Sequence, residues 1–538
     1  MKRRNFLLSS LLGGAAMSLP LVNSCKPENG KSDNAQPVSY KSELDEITIN
    51  ELQDGMKSGK YTSESLVEIY TERIRAIDKS GPVLNSIIEM NPDAPDIARK
   101  LDSERKSGKV RGPLHGIPIV IKDNIDTADK MITSAGSLAL VKNVASGDAF
   151  IVSRLREAGA VILAKTNLSE WANFRSGRST SGWSGRGGLT RNPYMLNRNP
   201  CGSSSGTGVA VSANLCVAGI GTETDGSIVC PSNMNGLVGI KPTLGLCSRS
   251  GIIPISASQD TAGPMARTVA DAAALLGALT GTDSKDPVTL ESAGKVFTDY
   301  TQFLNPDGLK GVRVGVARNF FGFHNKVDAL MEEVIRKLEA LGARIIDPAN
   351  IEFVRECGEA EYQVLLYEFK DGLNKYLAGL DPSLGIKTLE DVIRFNTEHA
   401  EEELRYFGQE IMIEAQKKGP LTDAAYLRAL SNVRKYSRHV GIDSTLKKRS
   451  LDVIIAPTGG PAWVTDLING DHYSGGSSTP AACAGYPSIT VPAGFIEGLP
   501  VGVSFIGTAW SEPKLISYAY AFEQASKYRK TPEFLEGI

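Results

Sequence analysis

Short unbroken apolar runs alternate along this chain with stretches of helical periodicity, and that alternation predicts an α/β sheet covered on both faces. Val67, Tyr70, Ile74 and Ile77 recur at helical spacing behind Thr62 or Ser63, either of which can cap the helix, and Pro82 ends it or stands just beyond its end. Residues 117 to 121 read Ile-Pro-Ile-Val-Ile, a short buried strand with Lys122 at its end. Asp148 can cap a helix carrying Ile151, Val152 and Leu155 that stops at Gly159, and Ala160 to Ala164 reads as another buried strand. Thr268 leads into an alanine- and leucine-rich helix. Near the end, Ser488 to Pro492 and Val503 to Ile506 read as strands, followed by a helix capped by Ser511 with Pro513 in its first turn.

Residues 325 to 450 differ in texture. They are charged and helical, as in Met331-Glu332-Glu333-Val334 and the acidic stretch 398 to 404, and read as a helical layer packed on the same body. No internal repeat is found.

The N-terminus stands outside the fold. Lys2, Arg3 and Arg4 precede an apolar run from Phe6 through Leu21, an export signal too short for a mature membrane span of roughly 20 apolar residues. Arg3-Arg4-Asn5-Phe6-Leu7 resembles a twin-arginine signal. Leu21-Val22-Asn23-Ser24-Cys25 resembles a bacterial lipoprotein cleavage box, which would make Cys25 the lipidated first residue; an unlipidated signal is the alternative. The expectation is export to a bacterial envelope, periplasmic or membrane-anchored, with membrane contact only through that lipid. Residues 1–24 are then the signal, and 25–42, with almost nothing to bury, a tether.

Composition narrows the chemistry. The formal charge is -2, and loss of residues 1–24 removes three positive charges and no negative one, leaving -5. That balance, with no basic tract, offers nucleic acid no footprint. The 54 glycines follow no period, which excludes collagen and solenoids. Six cysteines remain after Cys25: Cys201, Cys216, Cys230, Cys247, Cys357 and Cys483. None has CxxC spacing and no HExxH occurs, so no metal or other cofactor is expected, and small buried thiols are the default reading.

Two glycine-rich segments could do chemistry. Cys201 to Gly208 reads CGSSSGTG, and Gly221 to Pro231 reads GTETDGSIVCP. Glycines around small hydroxyl residues let backbone N–H groups converge on one point, as in an oxyanion hole. A hydroxyl needs a base, and neither segment contains histidine. A lysine serves if burial lowers its pKa, and Lys122 leaves an apolar strand; Asp123 would oppose that shift and is expected to point elsewhere. Gly202 to Gly206 also matches GxSxG with Ser204 at its centre, but Asn197-Arg198-Asn199-Pro200 is no strand for a nucleophile elbow.

At these residues the chain resembles the amidase signature family. The likeness covers Gly116-Ile-Pro-Ile-Val-Ile-Lys122-Asp-Asn124, Gly202 to Gly206, Gly221 to Pro231, Gly239-Ile-Lys-Pro-Thr243, Asp260-Thr-Ala-Gly-Pro-Met265 and Gly485-Tyr-Pro-Ser-Ile489, and runs from about 45 to 530. The resemblance implies a single large α/β domain from about 43 to 538, with a mixed central sheet covered by helices on both faces. It implies Ser227 as nucleophile, Ser203 as bridging serine after a cis Gly202–Ser203 bond, and Lys122 as base. It also implies an oxyanion hole from the N–H groups of Thr224, Asp225, Gly226 and Ser227. The reaction would be amide hydrolysis through an acyl-enzyme.

Two positions depart from the commonest family pattern: Asp225 stands where glycine is usual, and Val229 where arginine is common. With Trp171 to Arg175 and Ser181-Gly182-Trp183, they resemble the peptide-amidase branch, which removes the C-terminal amide of peptides; the expected partner is thus a small amide or an amidated peptide. Trp171, Phe174 and Trp183 could line an acyl pocket or serve the core. Arg175, Arg178 or Arg186 could meet a carboxylate or carbonyl, or remain solvated. The rival readings are the glutaminase subunit of a tRNA-dependent amidotransferase, against which the export signal argues, a non-catalytic binding protein on the same fold, and esterase activity at the same centre.

Overall fold

The unbroken apolar runs become the interior strands of one large sheet. A computed structural model describes residues 40–537; the signal, the lipidation site at Cys25 and nearly all of the tether lie outside the described residues. In chain order the strands are β1 (Ile87–Met90), β2 (Pro118–Lys122), β3 (Val161–Thr166), β4 (Trp183–Ser184), β5 (Gly188–Leu189), β6 (Ala218–Glu223) and β7 (Val238–Lys241). They continue with β8 (Thr261–Ala266), β9 (Arg313–Val316), β10 (Arg344–Ile346), β11 (Val453–Pro457), β12 (Ser488–Ile496) and β13 (Leu499–Ile506). β4 and β5 form a separate hairpin, and the other strands form an 11-stranded sheet in the order β1-β3-β2-β6-β8-β7-β12-β13-β11-β9-β10.

The sheet is mixed. β2 lies parallel to β3 and β6, and β9 parallel to β10 and β11, while the remaining pairs are antiparallel. Every residue of β2, β3, β6, β7, β8, β11 and β13 is buried, which is why these strands carry no polar alternation. Helix Ser205–Ser212 presses close on β6. A Cβ on Gly219 would lie 2.7 Å from Thr207 Cγ2, and one on Gly221 would lie 2.8 Å from Ser204 Oγ. Glycine at those points lets the segment carrying Ser203 to Ser205 lie against the strand that ends at Glu223.

Helix termini follow their side chains in part. Thr62 accepts from Ser65 N at 3.0 Å and caps Ser63–Arg73, after which the helix widens into a π turn over Ile74–Asp78. Thr268 accepts from Asp271 N at 3.1 Å and caps Val269–Leu279. Asp148 does not cap its helix. Ala149 holds that position, and the Asp148 carboxylate instead accepts from Ala128 N at 2.7 Å and from Arg156 at 3.0 Å, because a cation two turns away outcompetes the helix end. Ser511 stands at the cap of Glu512–Ser526 but donates to Thr508 O at 2.7 Å.

Between 325 and 450 the chain is mostly helical, but β10 interrupts it and extends the sheet edge, three residues being too few to show a period. Leu366, Phe369, Leu373 and Leu377 of helix Val354–Ala378 bury in one cluster with Trp171 and Phe174. Arg175 reinforces the join. It is fully buried, pairs with Glu170 and Glu403, and donates to the carbonyls of Phe407 and Gly408 at 3.2 Å, with its guanidinium 4.2 Å from the Phe407 ring centre. Removing one member of such a group strands the opposite charge. Arg175→Met is expected to lower unfolding free energy by about 3–5 kcal/mol in urea titrations.

Candidate active site

β2 delivers Lys122 into the interior with no solvent exposure. Its Nζ has three polar neighbours: Ser203 Oγ at 2.7 Å, Thr222 Oγ1 at 2.9 Å and Thr222 O at 3.3 Å. An uncharged amine satisfies all three, donating to the two Thr222 oxygens and accepting from the Ser203 hydroxyl. Burial pulls the amine from 10.5 down to about 7, against the opposing pull of the Asp260 and Glu223 charges. Asn124 Nδ2 donates to Thr222 Oγ1 at 3.0 Å and fixes that hydroxyl. Asp123 faces away, held by Ser134, Gly136 N and Arg186.

Burial alone does not distinguish Lys122, because Lys165 and Lys241 are equally enclosed. Lys165 donates to Ile125 O and Thr133 Oγ1, and Lys241 to Pro242 O and Tyr486 O. Neither is bonded to a serine hydroxyl.

Ser203 follows a cis Gly202–Ser203 peptide bond. Its carbonyl accepts from Ser169 N at 3.1 Å, and Ser204 N donates to Ser227 O at 3.2 Å, which ties the two serine-bearing loops together. Ser204 is no elbow nucleophile, since its hydroxyl donates to Thr222 O at 3.1 Å beneath the site. Residues Thr224 to Ile228 form the turn between β6 and helix Val229–Met234. Gly226 takes φ +82°, and among the described residues no carbonyl or side chain receives the N–H of Asp225, Gly226 or Ser227. Three main-chain donors are therefore free beside the Ser227 hydroxyl. Asp225 does not have positive φ, so a side chain is tolerated where glycine is usual, and its carboxylate accepts from Thr479 Oγ1 at 2.6 Å.

Ser203 and Ser227 line one cavity of about 430 Å³ together with Thr224, Asp225 and Gly226. Its other walls include Phe174, Ile255, Leu365, Trp463, Asp471 and Tyr473. Of the three aromatic residues expected at a pocket, Phe174 is at the wall. Trp171 and Trp183 are not: Trp171 fills the core beneath the helical layer, and Trp183 packs edge-on against Tyr406 and Phe407. Arg175 is in the lock described above, Arg186 pairs with Glu89 and Asp123, and Arg178 is exposed.

A family model described as Amidase matches residues 65–516. The chain belongs to the amidase-signature family. The native peptide amidase of Stenotrophomonas maltophilia superposes with a TM-score of 0.86 at 50% identity, over 91% of this chain and 99% of that one. A "probable amidase" of Arabidopsis thaliana is 42% identical over 91% of this chain and 92% of its own. One subunit of the glutamyl-tRNA(Gln) amidotransferase of Pseudomonas syringae is 34% identical over 91% of this chain and 100% of its own. Of these three, the peptide amidase is the most alike. The amidase-signature enzyme described here hydrolyses amide C–N bonds through a serine-bound acyl intermediate.

Sequence reasoning missed several residues of this amidase site. Thr222 and Asp260 sit inside motifs already singled out, but nothing in their spacing shows that Thr222 holds the Lys122 amine or that Asp260 accepts from Thr224 Oγ1 at 2.6 Å. Asp260 also takes the N–H groups of Ile255 and Ser256 at 2.8 Å, and burial lifts its carboxyl to about 6. Trp463, Asp471 and Tyr473 come from a distant loop with no local signal. Cys201 and Cys230 are not free thiols but a disulfide, while Cys216, Cys247, Cys357 and Cys483 are buried and free.

The unfolded chain keeps a proton on the Lys122 amine up to 10.5, whereas the folded enzyme releases it near 7, so stability from this group rises with pH across that window. Relative to Lys122→Met, wild-type unfolding free energy should climb by about 1.4 kcal/mol per unit between about pH 7.5 and 9.5, measured by denaturant titration at each pH.

Proposed function

We propose that this amidase removes the C-terminal carboxamide of peptides as ammonia, with Ser227 as nucleophile, Ser203 as proton bridge and Lys122 as base. The observation that carries the reading is the buried 2.7 Å contact between Lys122 Nζ and Ser203 Oγ, with Ser203 and Ser227 opening into one cavity.

Ser227 Oγ attacks the carboxamide carbon while its proton passes to Ser203 Oγ and the Ser203 proton passes to Lys122 Nζ. The developing oxyanion takes the free N–H donors of the 224–227 turn. The relay then runs backwards and protonates the leaving nitrogen, the C–N bond breaks, and ammonia departs. Water repeats the sequence on the acyl-enzyme, releasing the carboxylate and restoring Ser227. A serine suits the middle position because its hydroxyl donates and accepts at once.

Likeness to peptide amidase supports the substrate class, and the cavity walls add to it. Phe174, Ile255, Leu365 and Trp463 offer apolar contact to a peptide, while Asp225 and Asp471 are the acidic residues among the lining side chains. Burial lifts both carboxyls above their ordinary value, yet each remains an acceptor that suits the N–H groups of a carboxamide better than the oxygens of a free terminal carboxylate. The signal-like residues 1–24 and the Cys201–Cys230 disulfide support a reaction outside the cytoplasm, which fractionation of cells expressing the full chain would test.

Ammonia release from amidated dipeptides should exceed that from free primary amides of similar size; equal rates would remove the peptide-amide class while leaving amide hydrolysis standing. Ser227→Ala should lose activity on the order of 10⁴-fold or more and show no acyl-enzyme burst, and Ser203→Ala about 10²–10⁴-fold. Because the base must be unprotonated, kcat/KM should rise about tenfold per pH unit below the Lys122 value of about 7 and level off above it. A profile flat from pH 5 to about 9 would remove Lys122 from the proton path.

A further inference from the structure

Cys201 and Cys230, 6% and 8% exposed, both line the cavity that holds Ser203 and Ser227. Cys201 lies two residues before Ser203, and Cys230 three residues after Ser227. The bond joins them across a separation of 29 residues and encloses all of β6, Thr222 and the 224–227 turn. Cys230 N donates to Gly226 O at 2.8 Å, so its end of the link is one helical turn from the free N–H donors. At the other end, Cys201 N is held by Asn199 Oδ1 at 2.8 Å, and Ser205 Oγ donates to Cys201 O at 2.7 Å. The disulfide packs among Tyr194, Met234 and the cavity-wall residue Trp463, a backing for both loops.

The other ties between these segments are single hydrogen bonds: Ser204 N to Ser227 O at 3.2 Å, Ser204 Oγ to Thr222 O at 3.1 Å, Thr222 N to Ser204 Oγ at 3.2 Å and Asn235 Nδ2 to Pro200 O at 3.0 Å. Glu223 Oε2 takes the N–H groups of Ile228 and Val229 at 2.8 and 3.0 Å, but the N–H groups of Asp225, Gly226 and Ser227 between them make no bond among the described residues. The covalent link is thus the strongest restraint on the placement of the nucleophile-bearing turn relative to the proton bridge, and it is reached from solvent through the substrate cavity.

We propose that the Cys201–Cys230 disulfide is a positioning element of the reaction, and that its reduction by a dithiol lowers turnover without unfolding the enzyme. A thiolate of the dithiol attacks one sulfur, the other cysteine leaves as thiolate, and the second dithiol sulfur displaces the mixed disulfide. Two electrons and two protons pass to the protein as two thiols, and the reductant becomes a cyclic disulfide. The inference rests on Ser203 and Ser227 being the reacting hydroxyls. Misplacement by about 1 Å in such a relay costs up to roughly a hundredfold in rate.

The experiment uses the full chain, an amidated dipeptide and dithiothreitol, at a temperature where near-UV circular dichroism shows both redox forms folded. Thiol titration after denaturation should show two new thiols, kcat and the acylation burst rate should fall about tenfold or more, and KM should change less than about threefold. Oxidised glutathione should restore the rate. The Cys201→Ser/Cys230→Ser double variant should match the reduced enzyme and ignore dithiothreitol, while Cys216→Ser should stay sensitive. A merely structural bond would lower the melting temperature but leave the burst rate unchanged. If the double variant does not fold, the reduced wild type decides alone. Reduced enzyme with two new thiols and kcat within about twofold of the oxidised form would overturn the proposal. An active Ser227→Ala would instead overturn the assignment of the nucleophile beneath it.

Discussion

A lysine amine whose charge is disfavoured by burial, set beside a serine hydroxyl, governs the rest of this architecture. Placing such an amine in the interior is unfavourable at neutral pH, and the surrounding strands must exclude water well enough to hold its pKa near 7. That requirement accounts for β2 and its neighbours β3 and β6 being buried along their whole length. It also accounts for Thr222, whose carbonyl and hydroxyl both face the amine and leave it one direction in which to accept a proton.

The catalytic turn follows a complementary logic. A loop that is to stabilise an oxyanion must leave its N–H groups unused in the resting protein, so it has little hydrogen bonding of its own to hold it. The 224–227 turn is braced from outside instead. Asp260 anchors Thr224, Thr479 anchors Asp225, and the Cys201–Cys230 bond anchors the helix that follows. Each brace comes from a different part of the chain, and each leaves the donors free.

The helical layer over 325–450 closes the site rather than standing apart. Its long helix supplies Leu365 to the cavity wall and buries Leu366 and Phe369 against the segment that carries Phe174. The Arg175–Glu170–Glu403 group joins the two through one buried guanidinium and two buried carboxyls, of which burial and Glu403 push Glu170 well above the ordinary carboxylate range. Such a group gives orientation more than stability, because desolvating its members offsets much of their attraction.

The linear order of residues determined a good deal on its own. Continuous apolar runs mark strands buried on both faces, since a strand with no solvent side has no polar positions to show. Glycine-flanked hydroxyls mark the two loops, since only such segments bring backbone donors and side-chain oxygens close together. The spaced family motifs identified the fold and the amide chemistry. What the order of residues could not settle were facts of convergence. Lys122, Lys165 and Lys241 look alike in sequence, and only packing shows which amine meets a serine hydroxyl. Trp171, Phe174 and Trp183 are one aromatic cluster in sequence, yet backbone direction sends only Phe174 to the cavity. Cys201 and Cys230 pair because two loops cross, and Asp148 abandons its helix end because Arg156 lies within reach. Periodicity reports burial along one element; partners arriving from elsewhere are decided by the tertiary fold, because distance in space between loops leaves no trace in their spacing along the chain.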